Sequence, residues 1–262
     1  MVTNSTCAAL PISDQLVLVT GGARGLGSHL VKAFLGQGAR VVVNYLNSES
    51  QARQLVQMAP ERCLAVRADV SDAAAVQAMF HQAQEHFKKT ITTVVNNALP
   101  RFSFNGDLRP TASDISWAAF DQQFAGVVGG ALNTTQAAVP GMKQRGFGRI
   151  ITVGTNLFQN PVVPYHDYTA AKAALLSLTR TLAHDLGPHG ITVNMVSGGL
   201  LKTTDASAAT PPAVFDLIAA STPLRRVTTP DEFADAALFF ASPWSRAVTG
   251  QNLIVDGGLV KG

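Results

Sequence analysis

The chain has 262 residues, with 20 basic and 17 acidic side chains and a formal charge of +3. Hydrophobic residues make up 47% and charged residues 14%, enough apolar surface for a large buried core and too little charge for a disordered chain. The basic pairs Lys88-Lys89 and Arg225-Arg226 extend into no longer run, so no nucleic-acid partner is expected. No stretch reaches the ~20 apolar residues of a membrane span, so no membrane association is expected.

Residues 1–13 lack a basic start followed by an apolar stretch, and read as an extension rather than a secretory leader. Cys7 and Cys63 stand alone, without the spacing of a metal site or a disulfide framework. A reducing, cytoplasmic setting is expected.

The first buried strand is Leu16–Val19, followed by Thr20-Gly21-Gly22-Ala23-Arg24-Gly25-Leu26-Gly27 and a helix over Ser28 to Gln37. Strand, glycines, helix is the order that lets a backbone turn approach a pyrophosphate whose charge meets the helix amino terminus. The spacing is G-x-x-x-G-x-G rather than G-x-G-x-x-G, yet its place in the first strand-to-helix turn points to a dinucleotide. A second strand, Ala39 to Val43, leads into Asn44-Tyr45-Leu46-Asn47-Ser48. An acidic residue here would hold a ribose 2′-hydroxyl, but no carboxylate occurs before Glu49, and Arg24 supplies a cation for a 2′-phosphate. The expected cofactor is therefore NADP(H), with Asn44 and Ser48 as candidate contacts.

Further strands are expected at Cys63 to Ala68, Thr92 to Val95, Arg149 to Val153, Thr192 to Val196 and Leu253 to Val255. Between them lie helical segments at Ala73 to Phe87, Ser113 to Val139, Thr169 to Leu186 and Pro230 to Ala241. The alternation predicts an α/β chain: one Rossmann domain over 14–262, with a doubly wound, seven-stranded parallel sheet flanked by helices. Only Leu200 to Thr222, rich in Ala, Thr and Pro, interrupts it, where a substrate lid would sit.

In Tyr168-Thr169-Ala170-Ala171-Lys172 the two polar side chains lie four residues apart, so a helix puts them on one face. A nearby ammonium favours a phenolate, bringing the tyrosine hydroxyl closer to useful acid or base strength. Alone the pair is a weak signal; downstream of a dinucleotide turn it becomes a candidate catalytic pair.

From about Asp14 to Gly258 the chain resembles the short-chain dehydrogenase/reductase family, and within it the 3-oxoacyl-acyl-carrier-protein reductases. The resemblance rests on Thr20-Gly21 to Gly27, Asp69-Val70, Asn96-Asn97-Ala98, Tyr168 to Lys172, Gly199 with Thr203, and Thr249-Gly250-Gln251 to Asp256-Gly257-Gly258. It implies that Asp69 and Val70 border the adenine, that Asn96 steadies its strand near the ribose with Ala98 beside it, and that Leu201 and Thr203 contact the nicotinamide amide. It also implies that Lys172 bonds the nicotinamide ribose, and that the protein is a homotetramer. The implied reaction is NADPH-dependent reduction of a small-molecule carbonyl, a 3-oxoacyl thioester on an acyl carrier protein by the nearest likeness. A steroid, quinone, sugar or simple ketone stays open as the substrate.

The chain departs from the family pattern at several points. The usual catalytic serine is Thr155, which keeps a hydroxyl but adds a methyl group. Val127 stands where an asparagine usually links the lysine to water. Leu99 replaces a glycine, and Gly198-Gly199 replaces a proline-glycine pair. These changes leave a second reading open, a weakly catalytic dinucleotide-binding sensor or scaffold. Asp167 is expected to cap the helix and His166 to line the pocket, while His184 and His189 suit a helix end. Phe102, Phe104, Phe158 and Phe215 are candidates for an apolar pocket or for packing alone.

Overall fold

A computed structural model describes residues 10–99, 109–202, 204, 207–208 and 210–261. Residues 1–9 of the expected extension, Cys7 among them, and Phe102, Phe104 and Thr203 lie outside the described residues.

The chain alternates β1 (Leu16–Val19), α1 (Gly25–Gly36), β2 (Arg40–Tyr45), α2 (Glu49–Met58), β3 (Cys63–Arg67), α3 (Ala73–Phe87) and β4 (Thr93–Asn96). There follow α4 (Trp117–Phe124), α5 (Gly130–Arg145), β5 (Gly148–Thr155), α6 (His166–Leu186), β6 (Ile191–Gly198), α7 (Pro212–Ser221), α8 (Pro230–Ala241) and β7 (Asn252–Val255). The strands form one seven-stranded sheet in the order β3-β2-β1-β4-β5-β6-β7, every neighbouring pair parallel. This is the doubly wound Rossmann arrangement expected from the alternation.

Both faces are covered, as a parallel sheet requires. Val17, Val19, Val41 and Val43 pack beneath Leu30 and Phe34 of α1 and Phe233 and Phe240 of α8. Leu16, Leu18, Val42 and Val94 point the other way, onto Val76, Met79 and Phe80 of α3 and Met142 of α5. The boundaries of α3 and α8 match the sequence reading because each has a local start signal. Asp72 accepts from Ala74 N and Ala75 N, and Thr229 with Glu232 forms a capping box ahead of Pro230.

The helix expected over Ser113 to Val139 differs. It begins at Trp117, where the Ser116 side chain accepts from Ala119 N, because Thr111 and Asp114 close a turn before it. It continues through Pro140 to Arg145 and stops at Gly146, whose φ of 62° is left-handed. Between α4 and α5, Ala125–Gly129 widens into a π turn. The presumed lid segment contains α7.

The sheet order reverses between β1 and β4, so the crevice beyond their carboxyl ends is the natural ligand position. Gly27, in the first turn of α1, lies directly against the preceding loop: a Cβ there would lie 2.2 Å from Gly21 O and 2.8 Å from Asn97 Nδ2. Gly27→Ala is therefore expected to destabilise the protein by on the order of 2 kcal/mol or more, seen as a fall in Tm of several degrees. Gly36→Ala, at a helical position where a Cβ meets nothing within 4 Å among the described residues, is the matched control and is expected to be neutral or mildly stabilising.

Candidate active site

The glycine turn is built by contacts from three strands. Thr20 Oγ1 donates to Val95 O and accepts from Asn97 N at 2.9 Å and Ala98 N at 3.0 Å. Asn97 Nδ2 donates to Thr20 O and Gly21 O, while Gly21 N donates to Asn44 Oδ1 at 3.1 Å. Gly21 and Gly25 have φ of +59° and +52°, values L side chains rarely adopt, and among the described residues a Cβ on Gly25 would meet only Thr204, at 4.0 Å. The result is a bare backbone concavity at the start of α1, a cradle of the kind a pyrophosphate occupies, so the residues fit a dinucleotide.

Around this cradle the candidate contacts fall into two groups. Arg24 and Asp69 are exposed, and Leu26, Ser48, Val70, Ala98 and Gly199 are half-buried. Asp69 Oδ1 already accepts from Ser71 N and Oγ, and Val70 packs against Gly130, where a Cβ would come within 2.8 Å. Asn44 and Asn96 are enclosed instead. Asn44 is 2% exposed, with its amide spent on Gly21 N and Ala68 O, so it holds the turn rather than reaching a ligand. Asn96 Oδ1 accepts from Thr134 Oγ1 at 2.7 Å, bracing β4 against α5. Leu201 is buried against the core that includes Phe233, and its carbonyl accepts from Ser207 Oγ.

Tyr168, Lys172 and Thr155 come together at the carboxyl end of β5. Thr155 ends the strand and is 4% exposed; its Oγ1 accepts from Leu157 N, and it neighbours the buried Tyr168 hydroxyl. Lys172 is 2% exposed and donates from Nζ to Val153 O at 2.6 Å. Burial lowers its pKa from 10.5 to about 8. Burial also pushes the Tyr168 hydroxyl up to about 12, against the Thr155 hydrogen bond, which lowers it. This reverses the expectation of an ammonium-activated phenolate: Lys172 Nζ lies 5.8 Å from the Tyr168 ring centroid, and desolvation dominates. At neutral pH Tyr168 therefore carries its proton.

Val127 sits in the π turn, 4% exposed, packed with Ala131, Ala171, Leu175 and Met195; Leu99 and Phe158 lie against the same cluster. Lys172 thus has an apolar wall where an amide was expected from the family pattern. Asp167 does not cap α6. It forms an ion pair with Arg109, and the N-cap residue is Tyr165, without a side-chain cap. Arg109 carries no local motif that marks it for this role, because its partner is distant in sequence; Asn97 lies in the Asn96-Asn97-Ala98 motif, but its bonds to the glycine turn span 76 and 77 residues.

The described residues hold no cluster of His, Cys, Asp or Glu able to bind a metal ion, and no helix among them is long and apolar enough to cross a membrane.

A glycine cradle at the switch point, beside a buried Tyr, Lys and Thr constellation, defines a dinucleotide-binding α/β oxidoreductase fold. The chain belongs to the short-chain dehydrogenase/reductase family, whose cofactor is a nicotinamide dinucleotide: a family model described as enoyl-(acyl carrier protein) reductase matches residues 21–260. It is 33% identical to a 3alpha-hydroxysteroid dehydrogenase of Mediterraneibacter gnavus, over 94% of this chain and 97% of the relative. It is 29% identical to a 7alpha-hydroxysteroid dehydrogenase of Escherichia coli and 29% identical to an NADPH-dependent aldehyde reductase-like chloroplastic protein of Arabidopsis thaliana, each over 96% of both chains. None of these three is named for a 3-oxoacyl thioester.

A buried ammonium costs stability. With the folded pKa near 8 and the unfolded one near 10.5, the unfolded chain binds more protons between these values, so stability rises with pH across that window and the penalty is fully felt below pH 8. Lys172→Met is expected to raise Tm by a few degrees at pH 7, from a relieved cost of roughly 3 kcal/mol less about 1 kcal/mol for the lost hydrogen bond. The gain should shrink by pH 10; thermal melts at both pH values check this.

Proposed function

We propose that this protein is an NADPH-dependent carbonyl reductase in which Thr155 binds the carbonyl oxygen and Tyr168 protonates it. The observation that carries the reading is the burial of Tyr168, Lys172 and Thr155 side by side at the carboxyl end of β5, the same sheet edge as the glycine cradle. When bound, the reduced nicotinamide supplies the hydride. Thr155 donates to the substrate oxygen as it gains negative charge, and Tyr168, held protonated by burial, transfers the phenolic proton to it. The Lys172 ammonium offsets the phenolate charge that remains. Carbon gains the hydride and oxygen the proton, so the product is an alcohol.

Arg24, exposed in the turn, and the lack of a carboxylate at the end of β2 support the phosphorylated cofactor. Leu99 and Phe158, beside the Val127 cluster, give the cleft an apolar flank. That flank favours a carbonyl compound with an apolar chain or ring system, a class containing both 3-oxoacyl thioesters and ketosteroids. Exposed Trp117 and Phe124 on α4 and Leu132 on α5 support self-association, which we take to be tetrameric.

The test follows NADPH absorbance with an acetoacetyl thioester, a ketosteroid and an aliphatic aldehyde. Wild type is expected to turn over at least one, and Tyr168→Phe to lose 100-fold or more in kcat, on the order of a general acid's contribution. Tight NADPH binding without turnover of any carbonyl would sink this reading and favour the sensor or scaffold, to which Val127 lends support. Wild type is expected to bind NADPH more tightly than NADH, a preference that Arg24→Ala erases by weakening NADPH about 10-fold or more. Titration with both cofactors checks it, and a wild-type preference for NADH would refute the phosphate assignment.

A further inference from the structure

Tyr168 is the third residue of α6, and therefore rides on a first helical turn, where backbone hydrogen bonding is incomplete and fraying begins. The N-cap residue, Tyr165, supplies no side-chain cap. A contact from another part of the chain grips this turn instead. Arg109, beyond the carboxyl end of β4, donates from Nη2 to Asp167 Oδ1 at 2.5 Å, with the two side chains 12% and 6% exposed. The same guanidinium carbon lies 5.2 Å from the centroid of the Tyr165 ring, itself 5% exposed.

The pair thus holds both the cap residue and the residue directly before Tyr168. Burying two charges seldom stabilises a fold more than an apolar pair would, so stability is a weak reason for its presence. Its geometry supplies a better one. A planar guanidinium bonded on one edge and stacked on a ring fixes the carboxylate and the aromatic side chain in a single arrangement. Thr155 is held by β5, but Tyr168 rides on this turn, so the distance between the two hydroxyls depends on its pose.

We propose that Arg109 is a positioning residue: through Asp167 and Tyr165 it clamps the first turn of α6 and holds the Tyr168 hydroxyl against Thr155. The inference rests on the carbonyl reductase reading for its kinetic consequence, though not for the clamp itself. The test compares wild type with Arg109→Met, Arg109→Lys and the near-isosteric Asp167→Asn, by hydrogen–deuterium exchange and steady-state kinetics on whichever carbonyl wild type reduces. In Arg109→Met and Asp167→Asn, amides at 169–172, whose hydrogen bonds begin with Thr169 N to Tyr165 O and close the first turn, are expected to exchange about 10-fold faster or more, while β1, β4 and β5 and the affinity for NADPH stay as in wild type. Values of kcat are expected to fall on the order of 10- to 100-fold with KM little changed, as for a misplaced reacting group, and Arg109→Lys to recover much of the loss.

Unchanged exchange at 169–172 in Arg109→Met would overturn the clamp, and faster exchange with unaltered kcat would overturn its role in placing Tyr168. Faster exchange throughout the sheet with lost NADPH binding would mark Arg109 as a general stability residue and also overturn it. If wild type reduces no carbonyl, the functional reading fails by itself, and the exchange measurement still decides whether the clamp exists.

Discussion

The Lys172 ammonium, enclosed at the carboxyl edge of the sheet and bonded to Val153 O at 2.6 Å, governs how the two halves of the site meet. Val153 lies two residues before the end of β5, so this bond sets the height of α6 along the strand. Tyr168, one helical turn earlier, then arrives opposite Thr155. An enclosed cation is costly to desolvate, and Lys172 shows it in a pKa lowered to about 8. A group kept where it destabilises the fold is a mark of function rather than packing.

The other half of the site follows from parallel strand geometry. Every strand delivers its carboxyl end to the same edge, and the reversal of order between β1 and β4 leaves a crevice there. Asn44 from β2 and Asn97 from beyond β4 reach the turn after β1 from either side, and with Thr20 they satisfy the polar backbone of a loop that has few side chains of its own. The cradle is therefore preformed by the protein, and its glycines leave backbone open to a ligand.

The same burial that costs Lys172 its ordinary basicity gives Tyr168 an acid's protonation state. Both side chains are desolvated, and in each the neutral form is favoured: the tyrosine keeps its proton more firmly and the lysine gives one up more easily. Val127 adds a methyl surface to the cavity that Lys172 also lines. The protonation states of this pair are thus set by its dryness more than by direct charge contact between the two residues.

Strand positions, the glycine turn and the Tyr168–Lys172 spacing were legible in the amino-acid sequence because each depends on local rules: apolar runs, backbone freedom at glycine, and helical periodicity. The exact bounds of α3 and α8 were legible for the same reason, through the caps at Asp72 and Thr229. The π turn at Ala125–Gly129 was not, since it widens a helix whose apolar pattern runs through unbroken. The roles of Asn44, Arg109 and Asp167, and the direction of the Tyr168 pKa, were decided only in the tertiary structure. Those depend on which distant groups meet, 58 residues apart for Arg109 and Asp167, and on how much water is excluded where they do.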